Sequence, residues 1–454
     1  MSMRPNSHVL HRNGSRAFLR AATLSLAALA LAGCSSLSDL NPFSKETVLP
    51  GEREALFDNA VPGAEGGNRS ASIGSASSVE WRQGGGDAGN NSGNVSASIS
   101  GGRAWRASVG GSGGGMFSGA VRIAARPVSD NGRIFVYNQN GDVTALSTNG
   151  GRLWRRSLRP EGESGVASGG GVAVDGGRVF VATGYSQLVA LDASSGAVLW
   201  TKSINAPARQ APAAAGGTVV AVTQTGEVHA AAQDDGAERW SYAGIAESSG
   251  LLAFANPAIS GGTVIVPFTS GEVMALDMKS GEPKWVEGVT RSYRTRAVSG
   301  FTDVSASPVV NGDMVFASGV SGRLVASRLR NGERVWEQDV GSLHTPIVSG
   351  SSVFLIDIED RMVALDRSNG QPLWRTVLPN VEGKKKSRIN WAGPVLANGV
   401  LVAVSSDGRL VRVDAASGRV LGVSQTSEDI YVTPIIAGGR MVTITSKGDV
   451  VAFN

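Results

Sequence analysis

From about residue 125 onward, apolar residues come in runs of three to six, divided by short polar breaks rich in glycine. Val264-Ile265-Val266 and Met274-Ala275-Leu276 are representative. They are short, alternating or β-branched, and bounded by Gly, which is the signature of strands rather than of a 3.6-residue helical period. The order of these runs repeats. One unit leads from Pro257 through Gly271 and Ala275-Leu276-Asp277 to Gly281 and Trp285. The same order returns as Pro308, Gly322, Gly332 and Trp336, and as Pro346, Asp366, Gly370 and Trp374. Further copies are Pro127 to Trp154, Asp192 to Trp200, and Pro212 to Trp240. Proline and tryptophan stand 27 or 28 residues apart wherever both are present. A seventh unit starts at Pro394 and reaches Asp414 and Gly418, with Leu421 at the tryptophan position. An eighth starts at Pro434 and stops at Phe453-Asn454, one strand short.

Repeats of 38 to 51 residues, each with four short strands, predict propeller blades rather than a helical solenoid. Asp-x-x-Ser-Gly, as at Asp192–Gly196, Asp277–Gly281 and Asp414–Gly418, supplies the turn before the last strand: the carboxylate caps backbone amides and Gly takes the positive-φ position. The expected fold is therefore all-β, an eight-bladed propeller of four-stranded blades over residues 101–454. Arg103-Ala104-Trp105-Arg106-Ala107-Ser108-Val109 lies about one period before Trp154 and supplies the strand that the eighth blade lacks. Ring closure by this segment leaves no open blade edge. Residues 34–100 are rich in Gly, Ser, Asn and Ala, and that composition predicts a flexible linker. Two islands interrupt it, Leu49-Pro50-Gly51-Glu52-Arg53 and Val79-Glu80-Trp81-Arg82.

Residues 1–33 carry Arg4, Arg12, Arg16 and Arg20 ahead of an apolar run, Ala21 to Ala32, that is too short to span a bilayer. A basic start, an apolar middle and small residues before Cys34 describe a secretory signal. Leu31-Ala32-Gly33-Cys34 resembles a bacterial lipobox, which implies lipidation of Cys34 and an anchor of several acyl chains. Ser35 after the cysteine favours the outer membrane. Loss of this segment alters the charge balance. The whole chain has 42 basic and 38 acidic residues, net +4; without the four signal arginines the counts are 38 and 38. A neutral body gives no basis for nucleic-acid binding.

The Ala-Leu-Asp-x-x-Ser-Gly-x-x-x-Trp repeats resemble the tryptophan-docked propellers of quinoprotein dehydrogenases. That resemblance implies a blade-docking structural role for Trp154, Trp200, Trp240, Trp285, Trp336 and Trp374. A quinoprotein-like enzyme, or a propeller that takes a small ligand in its channel, is the alternative reading of function. Such enzymes require calcium-ligating carboxylates, a catalytic aspartate and commonly a cysteine pair. Here the one cysteine is Cys34, and Asp192, Asp277, Asp366 and Asp414 sit in hairpin turns. His229 and His344 have no metal-site spacing. No catalytic residue, metal ligand or cofactor is expected.

The lipobox followed by this propeller resembles the BamB family of outer-membrane assembly lipoproteins, most specifically over Phe301-Thr302-Asp303-Val304-Ser305 and Ile356-Asp357-Ile358-Glu359-Asp360. Leu49-Pro50-Gly51-Glu52-Arg53 is similar to the region after the lipobox in alphaproteobacterial members. The resemblance implies a non-enzymatic scaffold, anchored in the outer membrane and facing the periplasm. Its expected partners are the barrel-forming BamA subunit and other assembly-machinery components, with unfolded outer-membrane proteins as further ligands. It places the docking surface on a leucine-bearing loop, matched by Leu251 and Leu252, and on an acidic motif whose first acid is matched by Asp303. Ser305 stands where the family has the second acid. Leu251 and Leu252 equally suit packing between blades, and Asp303 equally suits a turn cap. Arg291, Arg294 and Arg296 lie in the longest connection between units and suit a partner's carboxylates. The densest basic run, Lys384-Lys385-Lys386 with Arg388, suits a solvated loop or anionic headgroups.

Overall fold

Each repeat unit forms one antiparallel sheet of four strands, and there are eight such sheets in a computed structural model of the chain. The structure describes residues 69–110, 125–244, 255–289, 306–319, 322–379 and 389–454. Blades 1 to 7 span residues 128–157, 170–203, 213–243, 258–288, 309–338, 347–377 and 391–425. Blade 8 takes three strands from residues 435–453 and its fourth from Arg103–Ser108. That fourth strand pairs antiparallel with the chain's last one, Trp105 opposite Ala452 and Ser108 opposite Asp449. Ring closure by the upstream strand is thus as the repeat arithmetic predicts.

The strand pattern explains where the core lies. Side chains alternate between the two faces of a strand, so each inner strand feeds two seams at once. In blade 4, Val264, Val266 and Leu276 pack against Val220, Val222 and Val228 of blade 3. Ile265 and Ala275 of the same strands pack against Val310, Val315 and Ala317 of blade 5. Apolar residues on both faces are what a sheet stacked between two others needs, and they account for the near-continuous apolar runs. The outer strand is different: Arg152–Ser157, for example, is largely exposed. In blades 1 to 7 the ladder between third and fourth strands skips one residue beside the central pair, as between Ala275 and Leu276. A bulge at that place bends the outer strand and increases its twist.

Antiparallel order fixes the two ends of the ring. Turns between first and second strands, and between third and fourth, lie at one end, the turn face. Second-to-third hairpins and the links between blades lie at the other, the connection face. First strands of successive blades touch one another, so they line the central channel.

Two expectations need correction. The register of blade 7 pairs Arg412 with Gly422 at the place where blade 4 pairs Ala275 with Trp285, so Gly422 and not Leu421 stands in the tryptophan position. A count of 28 from Pro394, the spacing in four of the five units that have both residues, gives 422; the 27 of Pro127 to Trp154 gives 421. Also, the predicted linker does not extend to residue 100. Residues 69–100 pack into the propeller, with Trp81 only 2% exposed and Val95 1%. The rest of the predicted linker, the signal segment and Cys34 lie outside the described residues.

Candidate docking surface and central channel

Each tryptophan ties its blade to the next. Trp154 Nε1 donates to Ala193 O at 3.1 Å, Trp200 to Gln233 O at 3.0 Å, and Trp240 to Met278 O at 2.9 Å. Trp285 donates to Leu329 O and Trp336 to Arg367 O, both at 2.8 Å, and Trp374 to Ala415 O at 3.1 Å. The acceptor belongs to the third-to-fourth-strand turn of the following blade, and the indole lies flat on that turn's glycine. A Cβ on Gly281 would sit 2.6 Å from Trp240, and the residue has φ +75°. Within four blades a second-strand phenylalanine meets the same indole, as Phe135 meets Trp154 at 5.9 Å between centroids. Aromatic contact and a satisfied indole N–H add to the apolar burial at these seams.

A seventh clamp was not singled out from sequence. Trp105, in the closing strand, donates to Thr148 O at 2.9 Å and covers Gly150 of blade 1. Its signal was present, because Trp105 stands within Arg-x-Trp-Arg, as Trp154 does.

The seam between blades 7 and 8 has no tryptophan. There Arg412 fills the space from the opposite strand: a Cβ on Gly422 would sit 3.1 Å from its guanidinium. Charge takes over the fastening. The carboxylate of Glu428, 5% exposed, accepts from Arg103 at 2.9 Å and Arg106 at 3.1 Å, and Arg106 also pairs with Asp449. Hydrogen bonding to Asp449 raises the Arg106 pKa. These pairs bind the closing strand to the end of the chain.

Chain from upstream fills the turn end of the channel. Arg69 N donates to Leu373 O and Ala71 N to Ala416 O, on blades 6 and 7 of the turn face. Ser72 and Gly74 then bond Ser352 and Ser349 of blade 6. From Trp81 the segment circles the channel and meets the blades in numerical order. Ser129 N donates to Trp81 O at 2.7 Å, Val174 N to Arg82 O at 2.8 Å, and Ala214 N to Gln83 Oε1 at 3.2 Å. Ile259 N donates to Ala88 O and Val310 N to Gly89 O, both at 2.7 Å, and Val348 N to Asn91 Oδ1 at 3.1 Å. Val95 N donates to Leu396 O of blade 7, and Ser100 and Gly101 donate to Asn454 O of blade 8. Asn90, 2% exposed, directs its amide at the carbonyls of Asn256, Pro257 and Pro308.

Deeper in the channel, Arg126 donates to Gly84 O at 3.1 Å. Burial, then the Arg126 charge, lowers the His344 pKa to about 4, so this ring is neutral at neutral pH. His229 is buried with Nε2 3.2 Å from Glu227. Among the described residues no group of three His, Cys, Asp or Glu side chains is placed to hold a metal ion. Asp192, Asp277, Asp366 and Asp414 cap their own turns, so none is turned to the channel. Among the described residues no cluster of carboxylates is placed for a calcium ion and six inner-strand amides are taken by residues 81–91, an arrangement that does not fit a quinone cofactor with its calcium ion.

Leu251, Leu252, Arg291, Arg294, Arg296 and Asp303 lie outside the described residues, as do Lys384, Lys385, Lys386 and Arg388. Their chain positions nevertheless fix which links they belong to: 251 and 252 join blades 3 and 4, and 291–303 join blades 4 and 5. The strands that bracket both links, Glu238–Ala243 with Ala258–Ser260 and Pro283–Gly288 with Val309–Asn311, meet them at the connection face.

The family model described as "Outer membrane protein assembly factor BamB" matches residues 139–376 and 370–454. The chain belongs to the BamB family. It is 27% identical to the BamB of Moranella endobia over 362 residues, covering 77% of this chain and 89% of that one. The Yersinia pestis BamB is likewise 27% identical over 359 residues, covering 77% and 88%. Among solved structures, BamB from Moraxella catarrhalis superposes with a TM-score of 0.63 at 19% identity, covering 74% of this chain and 97% of the other. Quinohemoprotein alcohol dehydrogenase from Comamonas testosteroni reaches 0.61 at 15% identity, covering 82% and 80%. At such identities the structural likeness speaks for the propeller fold, which both share; the sequence family separates this chain from the dehydrogenases.

Proposed function

We propose that this chain is a non-catalytic assembly factor for outer-membrane β-barrel proteins, held at the membrane by lipid on Cys34 and facing the periplasm. The observation that carries the reading is the BamB match across the blades. The chain's own segment, bonded to the first strands of six blades at the turn end of the channel, is consistent with a binding platform. Its partner in this reading is the barrel-forming BamA-like subunit, with other machinery components joining the assembly. Docking runs through Leu251 and Leu252 as apolar anchors, Asp303 as the acid, and Arg291, Arg294 and Arg296 as cations toward partner carboxylates. In this reading both links, which join blade 4 to its two neighbours, serve a single partner domain. Ser305 leaves one negative charge fewer than the family motif, so the apolar pair carries more of the contact.

Recovery of the barrel protein with this chain from detergent-solubilised outer membrane tests the reading. Wild type should retain a large β-barrel protein with several periplasmic repeats. Leu251→Glu combined with Asp303→Arg should lose it while keeping the wild-type melting curve. Cys34→Ser should move the chain to the soluble periplasmic fraction. Unchanged recovery with the folded double variant would refute these docking links, and membrane retention of Cys34→Ser would refute the anchor.

A further inference from the structure

The middle residue of a blade's first strand has its N–H turned away from the second strand, into the channel. In an antiparallel ladder alternate residues turn their N–H away from the partner strand; Ser129, which stands opposite Ile134, is one of these, and its N–H donates to Trp81 O. The equivalent amides are Val174, Ala214, Ile259, Val310 and Val348. Left dry and unpaired, each donor would cost about 1–3 kcal/mol. One stretch of chain supplies acceptors for all six, in blade order, within residues 81–91.

The glycines that made this stretch look like a linker are what allow it to fit. A Cβ on Gly85 would sit 2.6 Å from Asn90 Cα, and one on Gly86, at φ +121°, would sit 2.7 Å from Ser92 Cα. Gln83 and Gly86 exchange backbone hydrogen bonds across the resulting tight turn. The polar side chains are equally committed: Gln83 spans both the N–H and the C=O of Ala214, and Asn90 spans three carbonyls of blades 4 and 5.

We infer that residues 81–101 are a permanent internal ligand of the propeller, a strap that completes the inner edge of the blades and seals the channel at the turn face. A ligand entering from that face would have to replace the strap's acceptors on six blades together. Partners are thereby confined to the connection face and the rim. This goes beyond the assembly role proposed above, and it stands or falls independently of which protein docks there. It also makes the exposed inner edge a peptide-binding surface in any molecule whose strap is loosened, because paired backbone groups are what such an edge selects.

Amide hydrogen exchange on the full-length protein tests the inference. In wild type the six inner-strand amides should exchange only with global unfolding. In Trp81→Ala/Asn90→Ala they should exchange at least tenfold faster as a group, while the amides of Ala275 and Ala326 in third strands keep wild-type rates. That variant should also bind a labelled peptide of residues 78–102 that wild type refuses. Should the double variant fail to fold, Gln83→Ala gives the local form: faster exchange centred on Ala214, with the far blades unchanged. Rapid exchange of the six amides in wild type would overturn the seal, and so would peptide binding by wild type. Wild-type rates in the folded variants would show that the strap's bonds do not hold.

Discussion

At the scale of single residues, a turn of one blade is the socket for its neighbour's tryptophan. Asp192 Oδ1 accepts from the backbone of Ser194 and Ser195 and from both hydroxyls, and so shapes the turn whose Gly196 receives Trp154. Only glycine fits there, because φ is +69° and the indole leaves no room for a Cβ. The hydroxyl bonds of Ser194, then Ser195, hold the Asp192 pKa at about 2, below the 3.8 of a free aspartate. A carboxylate with a depressed folded-state pKa stabilises the fold above its unfolded pKa and loses that contribution as pH falls through the folded value. Asp192→Asn should accordingly unfold at lower urea than wild type at pH 6, with the gap closing between pH 4 and pH 2. A gap independent of pH would remove the charge from this account. The Asp-x-x-Ser-Gly turn was legible in sequence because both its chemistry and its contacts are local.

At the scale of elements, blade 7 shows how a repeat tolerates a change of partner. Seven blades place alanine opposite tryptophan across the third and fourth strands, and blade 7 places Arg412 opposite Gly422. The large and small members have exchanged strands while the pair keeps its bulk. Gly422→Trp alone should destabilise the protein, since the new side chain meets the Arg412 guanidinium. Arg412→Ala should relieve that loss, so a urea-unfolding cycle should give a coupling of about 0.5–3 kcal/mol. Additive losses would mean that the two side chains do not share the space. Sequence counting misplaced this position by one because the proline-to-tryptophan spacing takes two values, 27 and 28, and blade 7 has no tryptophan to mark which one it keeps. The strap is the larger lesson. Gly84-Gly85-Gly86 has linker composition, and its only local sign of burial is Trp81, a large aromatic in a tract of small residues. Its ordering comes from acceptors offered to blades tens to hundreds of residues away, which no window on the sequence contains.

At the scale of the whole molecule, closure depends on a carboxylate. Every other seam has a tryptophan; at the last, Glu428 in the link from blade 7 holds Arg103 and Arg106 of the closing strand of blade 8. The side chains of Arg103 and Arg106 are 51% and 35% exposed against 5% for Glu428, so the two sides of the pair are unequal. Replacing both arginines by methionine strands a buried charge and should cost about 3–5 kcal/mol. Glu428→Gln should cost less, because the freed guanidinium groups reach water. Urea midpoints for the two variants check the order, and equal losses would contradict it. Blade number, strand count, the closing strand and the family were determined by the sequence itself, since a repeat writes its period, its turns and its apolar faces locally. Tertiary structure alone decided that the glycine-rich segment is a strap, that Arg412 stands in for a tryptophan, and that the ring closes on Glu428. These are contacts between distant parts of the chain, and their energy exists only once the ring has brought those parts together.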